Sequence, residues 1–255
     1  MKLILRAGVS LMLLSICVPA KAGLLDFLKP PSTSSNLTTM VGAALPEDQI
    51  VGGLKQALGK GVEHAVAYLG RTNGFLTNVL VHIPMPSKLQ TVEKGLRAAG
   101  EGPLVDEFIA SMNHAAEQAV PAAAAVFGDS IQQMSIADAK AILTSTNDAA
   151  TEYFKRTAST NLYAKFYPLV QKATDSVGVT ARYKQMMGKF TAPDSIGGFL
   201  ASKTSIKLDA ADIDAYVTGK AMDGLFAMVA QEEENIRANP VARTTDLLKK
   251  VFATK

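Results

Sequence analysis

The amino-acid sequence predicts an all-α fold, a single multi-helix bundle-like domain of roughly eight helices that follows a cleaved signal peptide. Apolar residues recur with a spacing of three or four along most of residues 47–252, which is the periodicity of amphipathic helices. The only run with the character of a strand, VLVHI at Val79–Ile83, is five residues long. Tryptophan is absent and alanine is abundant, which favours closely packed helices.

The first 22 residues have the three parts of a signal peptide. Lys2 and Arg6 supply the charged start, and Ala7–Val18 is a mostly apolar run that is too short to span a membrane. Ala20-Lys21-Ala22 is a small-x-small cleavage site. We expect cleavage after Ala22 and export to the bacterial periplasm. The alternative is a lipoprotein signal that uses Cys17, which bulky Ile16 disfavours because a small residue normally precedes a lipidated cysteine.

Cleavage would change the charge of the chain. The removed segment carries three of the 26 Lys and Arg residues and no acid, so 23 basic residues would remain against 23 Asp and Glu. A chain without net positive charge or a basic cluster lacks the attraction that drives phosphate-backbone binding, so nucleic acid is excluded as an expected partner. Cys17 is the only cysteine, so the mature chain would form no disulfide and perform no thiol chemistry.

After an N-terminal tether at residues 23–46, a single all-α domain is expected over residues 47–255. Its first helix, Glu47–Leu69, places small residues at every fourth position beside a row of bulky ones. This spacing forms a flat groove on one side of the helix and predicts a close approach by another helix. The small residues are Gly53, Ala57, Gly61 and Ala65, and the bulky ones are Ile50, Leu54, Leu58, Val62 and Val66.

The middle of the chain continues the helical pattern. Helices are expected at Lys88–Ala99 and at Leu104–Met134, the latter interrupted at Pro121 because proline breaks the hydrogen-bond ladder. Ser135, with an acid three residues later, is a predicted N-cap. Another helix is expected to begin at Asn147 or Asp148.

The C-terminal part is predicted to contain the remaining helices. Leu162–Val177 and Thr180–Lys189 continue the pattern, and TAPDSIGGF breaks it. Asp209 is expected to cap a long helix that runs to about Arg237. Asn239-Pro240 then begins a final helix, since proline is favoured in the first helical turn.

The connection Gly70–Ser87, which we call the strap, is the most unusual segment of the sequence. It is longer than an ordinary unstructured connection, and its composition is too apolar for disorder. Asn73-Gly74 predicts a tight turn, and Pro84 and Pro86 keep the end extended. We expect the strap to lie across helix faces; the alternative is that part of it forms the lip of an apolar cleft that contacts a lipid, a peptide or a second subunit. The candidate binding residues are Phe75, Leu76, Val79, Val81, Ile83 and Met85.

The sequence contains no complete catalytic or metal-binding motif of a familiar kind. GLKQALGKG lacks the glycine spacing and the Ser or Thr of a phosphate-binding loop. His64, His82 and His114 have no metal-ligand spacing, and DAADID lacks the glycine of a calcium loop. The sequence therefore predicts no catalytic set, no metal and no cofactor.

Charged residues crowd the end of the long helix. Glu233 lies four residues before Arg237, a favourable helical pair, and Asn239 and Arg243 follow closely. The simpler interpretation is a helix–helix corner held by ion pairs. The alternative is a polar recognition site for a ligand or partner, so these four residues join the candidates.

Several long strings resemble an exported bacterial family, the domain-of-unknown-function family 4197. They are MNHAAEQAVP, DAATEYFK and EEENIRANPVARTTDLLKKVF, with GLKQALGKGVEHAV and KLQTVEKGLR similar to its N-terminal half. The resemblance covers about Glu47–Phe252 and implies a helical, exported, single-domain protein with no assigned activity. It supplies no catalytic residues.

Three functions of different classes are compatible with these features. The first is a non-enzymatic periplasmic protein that binds an apolar small molecule or an envelope partner through the strap and the adjacent groove. The second is an envelope hydrolase with Glu232–Glu234 and Arg237 or Arg243 in its site, which requires those groups to converge in a concave pocket. A structural or stress-related envelope factor is the third alternative.

Overall fold

A computed structural model describes residues 46–145, 147–192 and 209–238, all of which fall in one compact unit, residues 45–255. No strand occurs among these residues, and the predicted all-α class is confirmed. The helices that we label α1 to α8 are, in chain order, Glu47–Leu69, Gln90–Ala98, Gly102–Ala119, Ala123–Gln133, Ile136–Thr144, Ala149–Val177, Val179–Thr191 and Ala210–Ala238.

The two longest helices, α6 and α8, pack against each other at the centre of the unit. Helix α3 covers α6 on one side, and α1 packs along α8. Phe127 of α4 meets the ring of Phe154 on α6 at 5.0 Å and the ring of Phe226 on α8 at 5.8 Å, both edge to face. This arrangement joins three helices through one aromatic cluster in the geometry that aromatic pairs prefer.

The small-residue groove of α1 is confirmed as a helix-packing surface. Gly53, Ala57, Gly61 and Ala65 are all buried. A Cβ atom added to Gly61 would lie 3.4 Å from the Cβ atom of Glu232 on α8. The two helices are therefore as close as ordinary van der Waals contact allows, and a larger side chain at Gly61 would push them apart.

Local signals correctly predicted two helix starts. The Ser135 side chain accepts a hydrogen bond from the backbone of Asp138, and the Asp138 carboxylate accepts one from the backbone of Ser135, which is a complete capping box. Asp209 likewise accepts a hydrogen bond from the backbone of Asp212 at 2.7 Å. Pro121 lies in a short 3₁₀ turn, Val120–Ala122, that separates α3 from α4 as expected.

Helix α6 begins at Ala149, where the sequence predicts, although Asp148 forms no side-chain cap. The helix joins the segment expected from Asn147 or Asp148 and the segment Leu162–Val177 into one, and it continues through Pro168. Val79–Val81 is a turn, and His82 and Ile83 have no regular secondary structure, so this run forms no strand. The predicted final helix after Asn239 lies outside the described residues.

None of the helices in the described residues combines the length and the apolar composition that a membrane crossing needs.

One buried carboxyl on α8 gives the stability of the fold a pH dependence. Asp214 is buried, and the hydroxyl of Thr174 on α6 donates a hydrogen bond to it at 2.6 Å. Burial raises the pKa of Asp214 above its usual value, and the Thr174 hydrogen bond opposes this only in part. The carboxylates of Asp175 and Asp209 raise the pKa further.

Because the pKa of Asp214 is higher in the folded state, its contribution to stability is largest below the unfolded pKa and is lost as the pH rises through the folded pKa. The free energy of unfolding of the wild type should therefore decrease as the pH rises above about 4. We expect this decrease to be smaller in Asp214→Asn. Urea unfolding across that pH range measures this effect. Asp223→Asn, an exposed position on the same helix, is the control and should leave the fall unchanged. Equal slopes for wild type and Asp214→Asn would contradict the prediction.

Candidate ligand-binding cleft

The strap begins with a turn that only glycine allows. Asn73 has a left-handed backbone, with φ of 62°, which asparagine tolerates better than most residues. A Cβ atom added to the next residue, Gly74, would lie 2.5 Å from the carbonyl oxygen of Leu69. The predicted Asn73-Gly74 turn therefore folds the strap back onto the end of α1.

A buried glutamate of α3 holds this turn in place. Glu117 accepts hydrogen bonds from the backbone N–H groups of Asn73, Phe75 and Leu76 at 3.1, 3.0 and 3.3 Å. His114, one turn earlier on α3, lies 2.8 Å from the same carboxylate. The Glu117 carboxylate thus accepts hydrogen bonds from three backbone N–H groups in a segment that has no regular secondary structure. In a helix or a sheet, backbone carbonyl groups would accept these hydrogen bonds.

A second α3 side chain clamps the extended half of the strap. Asn113, fully buried, accepts a hydrogen bond from the N–H of Ile83 and donates one to its carbonyl oxygen, both at 2.9 Å. The same amide also donates to the carbonyl oxygen of Ile109 at 2.9 Å. Because Asn113 and Glu117 are four residues apart, they lie on one face of α3 and grip the strap at two points.

Helix α8 holds the strap from the other side. The hydroxyl of Tyr216 donates to the carbonyl oxygen of Pro84 at 3.0 Å. A Cβ atom added to Gly224 would lie 2.8 Å from the ring of Phe75 and 3.0 Å from the Cβ atom of Val81. The absence of a side chain at Gly224 therefore lets the strap approach the backbone of α8 directly.

The strap candidates divide between the core and the surface. Phe75, Val81 and Ile83 are buried and pack inward, as the predicted position across helix faces requires. Met85 is also buried but borders a cleft, together with half-buried Leu76. Val79 is 98% exposed at the outer turn. The strap is therefore ordered and packed over most of its length, and part of it is exposed as the alternative expected.

A cleft of about 840 Å³ opens between the strap, α2 and α3. Its volume lies in the range of small-molecule sites, roughly 300–1,000 Å³. Apolar groups come from the strap and α3, whereas the wall formed by α2 is polar and places its side chains at helical spacing. The strap contributes Leu76, His82, Pro84 and Met85; α3 contributes Asp106, Ile109 and Ala110; and α2 contributes Gln90, Glu93, Lys94 and Arg97.

Arg97 organises the charges at the polar wall. It donates a hydrogen bond to Glu93 on its own helix at 3.0 Å and one to Asp106 on α3 at 2.7 Å. These bonds raise the pKa of Arg97, so the guanidinium stays protonated. The Arg97–Asp106 pair ties α2 to the start of α3 at the edge of the cleft.

The second group of candidates forms a helix corner away from this cleft. Glu233 accepts hydrogen bonds from the N–H groups of Ala150 and Thr151, both at 3.0 Å, at the start of α6. It also pairs with Arg237 at 2.8 Å, and Arg237 donates to the carbonyl oxygen of Ile142 near the end of α5. Glu233 and Arg237 thus form the expected helical pair and hold α8 against α5 and α6; the predicted corner with a helix after Asn239 stays a prediction. Asn239 and Arg243 lie outside the described residues.

The three consecutive acids of this corner do not converge. Glu233 is buried in its hydrogen bonds, Glu232 lies 3.7 Å from His64 of α1, and Glu234 is exposed. The described part of the cluster therefore supplies structural contacts, and these carboxylates do not meet in a pocket.

Within the described ranges, no group of three His, Cys, Asp or Glu residues is placed to hold a metal ion. His114 and His64 each lie beside a single glutamate, on different helices.

Sequence reasoning identified Leu76 and Met85 of the cleft lining but missed its α2 and α3 residues and the α3 residues that hold the strap. Asn113 and Glu117 carried a usable signal, since they are polar residues on an otherwise apolar face of α3 and both lie in the string MNHAAEQAVP. Lys94 and Arg97 carried no sequence signal of a site, because charged residues on an amphipathic helix ordinarily face solvent.

The fold and the cleft define a class: an all-α protein in which an irregular apolar strap, held by polar side chains of one helix, forms a wall of an open cleft. The chain belongs to the family described as protein of unknown function (DUF4197), whose model matches residues 44–253. Comparisons with curated proteins and with solved structures returned no match.

Proposed function

We propose that this protein is an exported, non-enzymatic binding protein that holds an apolar small molecule in the cleft between the strap and helices α2 and α3. The observation that carries the proposal is the pre-formed cleft of about 840 Å³, bordered by Leu76, Pro84 and Met85 of the strap and by Ile109. Ligand sites are typically concave, largely apolar and formed in advance, with a few polar groups that orient the ligand.

The attachment of the strap supports this function. Glu117 and Asn113 hold the strap through its backbone, which leaves the side chains of Leu76 and Met85 free to border the cleft. A wall held in this way loses little conformational freedom when a ligand binds, so less binding energy is spent on ordering.

Residues 1–22 support export to the periplasm, with cleavage after Ala22. An apolar small molecule in that compartment is a component of the envelope or is taken up through it. The proposed function therefore places the protein between the two membranes as a carrier or sensor of such a molecule.

A second function, contact with an envelope partner, is favoured by the outer turn of the strap. Val79 and Leu80 expose 98% and 59% of their surfaces. The backbone N–H of Leu80 donates to the side chain of Asn78, so a fixed turn presents both apolar side chains to solvent. Exposed apolar groups of this kind are available to an apolar surface on a partner.

Blocking the cleft tests the proposed function. Ala110→Trp places an indole in the cleft from α3, and we expect it to abolish ligand retention. Ala124→Trp, at an exposed position of α4 outside the cleft, is the matched control. The wild type and both variants are recovered from periplasmic extracts and washed, and their organic-solvent extracts are compared by mass spectrometry.

The wild type and Ala124→Trp should yield the same small molecule, and Ala110→Trp should yield none. Recovery of that molecule at equal yield from Ala110→Trp would contradict a site in the cleft. Absence of the protein from the periplasmic fraction would contradict export.

A further inference from the structure

The polar side chains of the cleft fall into two groups according to their partners. Glu93 and Asp106 both bond to Arg97, at 3.0 and 2.7 Å. Their oxygens and the guanidinium are therefore directed at each other. A ligand that bound to any of these three groups would have to compete with an ion pair already in place.

His82, Gln90 and Lys94 form the other group. Their side chains make no hydrogen bond or ion pair with any other side chain or backbone group in the part of the chain that the structure describes. Lys94 is exposed at the rim on the α2 wall, and half-buried His82 lies on the strap wall. The cleft thus offers donors on two walls, and one of them is the ammonium group of Lys94.

The charge pattern selects an anion at the Lys94 side. The Arg97 group carries one net negative charge, but Asp106 is 65% exposed and solvent screens it. The ammonium group of Lys94 would repel a cationic ligand. An anionic head group would gain a charge-assisted hydrogen bond there and could accept a second one from His82.

Another part of the cleft lining suits a hydrocarbon chain. Leu76, Met85 and Ile109 belong to it and supply no hydrogen-bonding side-chain group. Methylene groups that lie against these side chains are removed from water, which favours binding. The polar and apolar parts of the lining together match a molecule with one charged end and one apolar chain.

We propose that the ligand of this cleft is a single-chain anionic amphiphile, whose carboxylate or phosphate lies against Lys94 and His82 and whose chain lies along Leu76, Met85 and Ile109. This inference rests on the proposed function, since it names the ligand of the same cleft. It goes further because it assigns Lys94 as the residue that selects charge.

Isothermal titration calorimetry of the full mature chain, below the micelle concentration of each probe, tests this assignment. The probes are dodecanoate and dodecyl phosphate as anionic amphiphiles, 1-dodecanoylglycerol as an uncharged one, and inorganic phosphate as an anion without a chain. The variants are Lys94→Gln, Lys94→Arg and Lys88→Gln. Lys88 is exposed just before α2 and does not line the cleft, so Lys88→Gln is the matched control.

Both anionic amphiphiles should bind more tightly than the glycerol ester, and Lys94→Gln should weaken them by about fivefold, as expected for one solvent-exposed charge contact. Lys94→Arg and Lys88→Gln should bind as the wild type does, and the ester should bind equally to all four proteins. Added salt should weaken the anionic probes and leave the ester unchanged.

Equal affinity of the ester and the anions, or equal loss in Lys94→Gln and Lys88→Gln, would overturn the charge selection while leaving the proposed apolar site intact. Inorganic phosphate that binds as tightly as dodecyl phosphate would overturn the part played by the chain. Failure of every amphiphile to bind would overturn the proposed function and this inference with it.

Discussion

Replacing Glu233 with alanine is expected to lower the free energy of unfolding by about 3–5 kcal/mol, because it removes one charge of a buried ion pair. The side chains of Glu233 and Arg237 are only 4% and 10% exposed. The same carboxylate accepts hydrogen bonds from the N–H groups of Ala150 and Thr151 and from the Thr151 hydroxyl. Its loss would leave the first turn of α6 without its cap and Arg237 without this carboxylate.

The adjacent residue provides the control for this variant. Glu234 is exposed, so Glu234→Ala should change the free energy of unfolding by less than about 0.5 kcal/mol. Glu233→Gln should fall between the two, since an amide keeps one acceptor and loses the charge. Urea unfolding followed by far-ultraviolet circular dichroism measures all three. A loss in Glu233→Ala no larger than that in Glu234→Ala would show that the corner does not stabilise the fold.

This corner also shows why one part of the fold could not be predicted. The start of α6 was expected at Asn147 or Asp148, because these residues are good local caps. The structure places the cap function on Glu233, 83 positions after Ala150 in the chain. Such a contact depends on the packing of α8 against α6, which no local pattern encodes. Ser135 was correctly predicted because its partner, Asp138, is three residues away.

The candidate site could be predicted in part for the same physical reason. The apolar composition and prolines of the strap correctly indicated an ordered, packed segment. They could not show which side chains point inward, since the strap has neither the period of a strand nor that of a helix. As a result, Phe75 and Ile83 were predicted as binding residues. Both are buried, so they are not part of a binding surface. Lys94 was overlooked because its place in the cleft lining depends on how α2 packs beside the strap.

Replacing Glu117 with alanine is expected to lower the free energy of unfolding by about 2–4 kcal/mol, since buried donors left without an acceptor each cost about 1–3 kcal/mol. Glu117 accepts from three backbone N–H groups of the strap, of which that of Phe75 is buried. Glu107→Ala, at an exposed position of the same helix, is the control and should have little effect on stability. Urea unfolding compares the two variants.

The Glu117→Ala variant also tests whether the strap loses its order independently of the rest of the fold. Leu76 is one of the residues that Glu117 holds and one of those that border the cleft. Loss of the carboxylate should therefore raise the amide hydrogen exchange of residues 73–76 more than that of α6 and α8, and should weaken amphiphile binding beyond what Glu107→Ala does. Uniform exchange with unchanged binding would mean that the core alone, without the α3 carboxylate, keeps the strap in position. Faster exchange confined to the strap, together with weaker binding, would show that a polar contact on the inner side of the strap keeps its outer side shaped for a ligand.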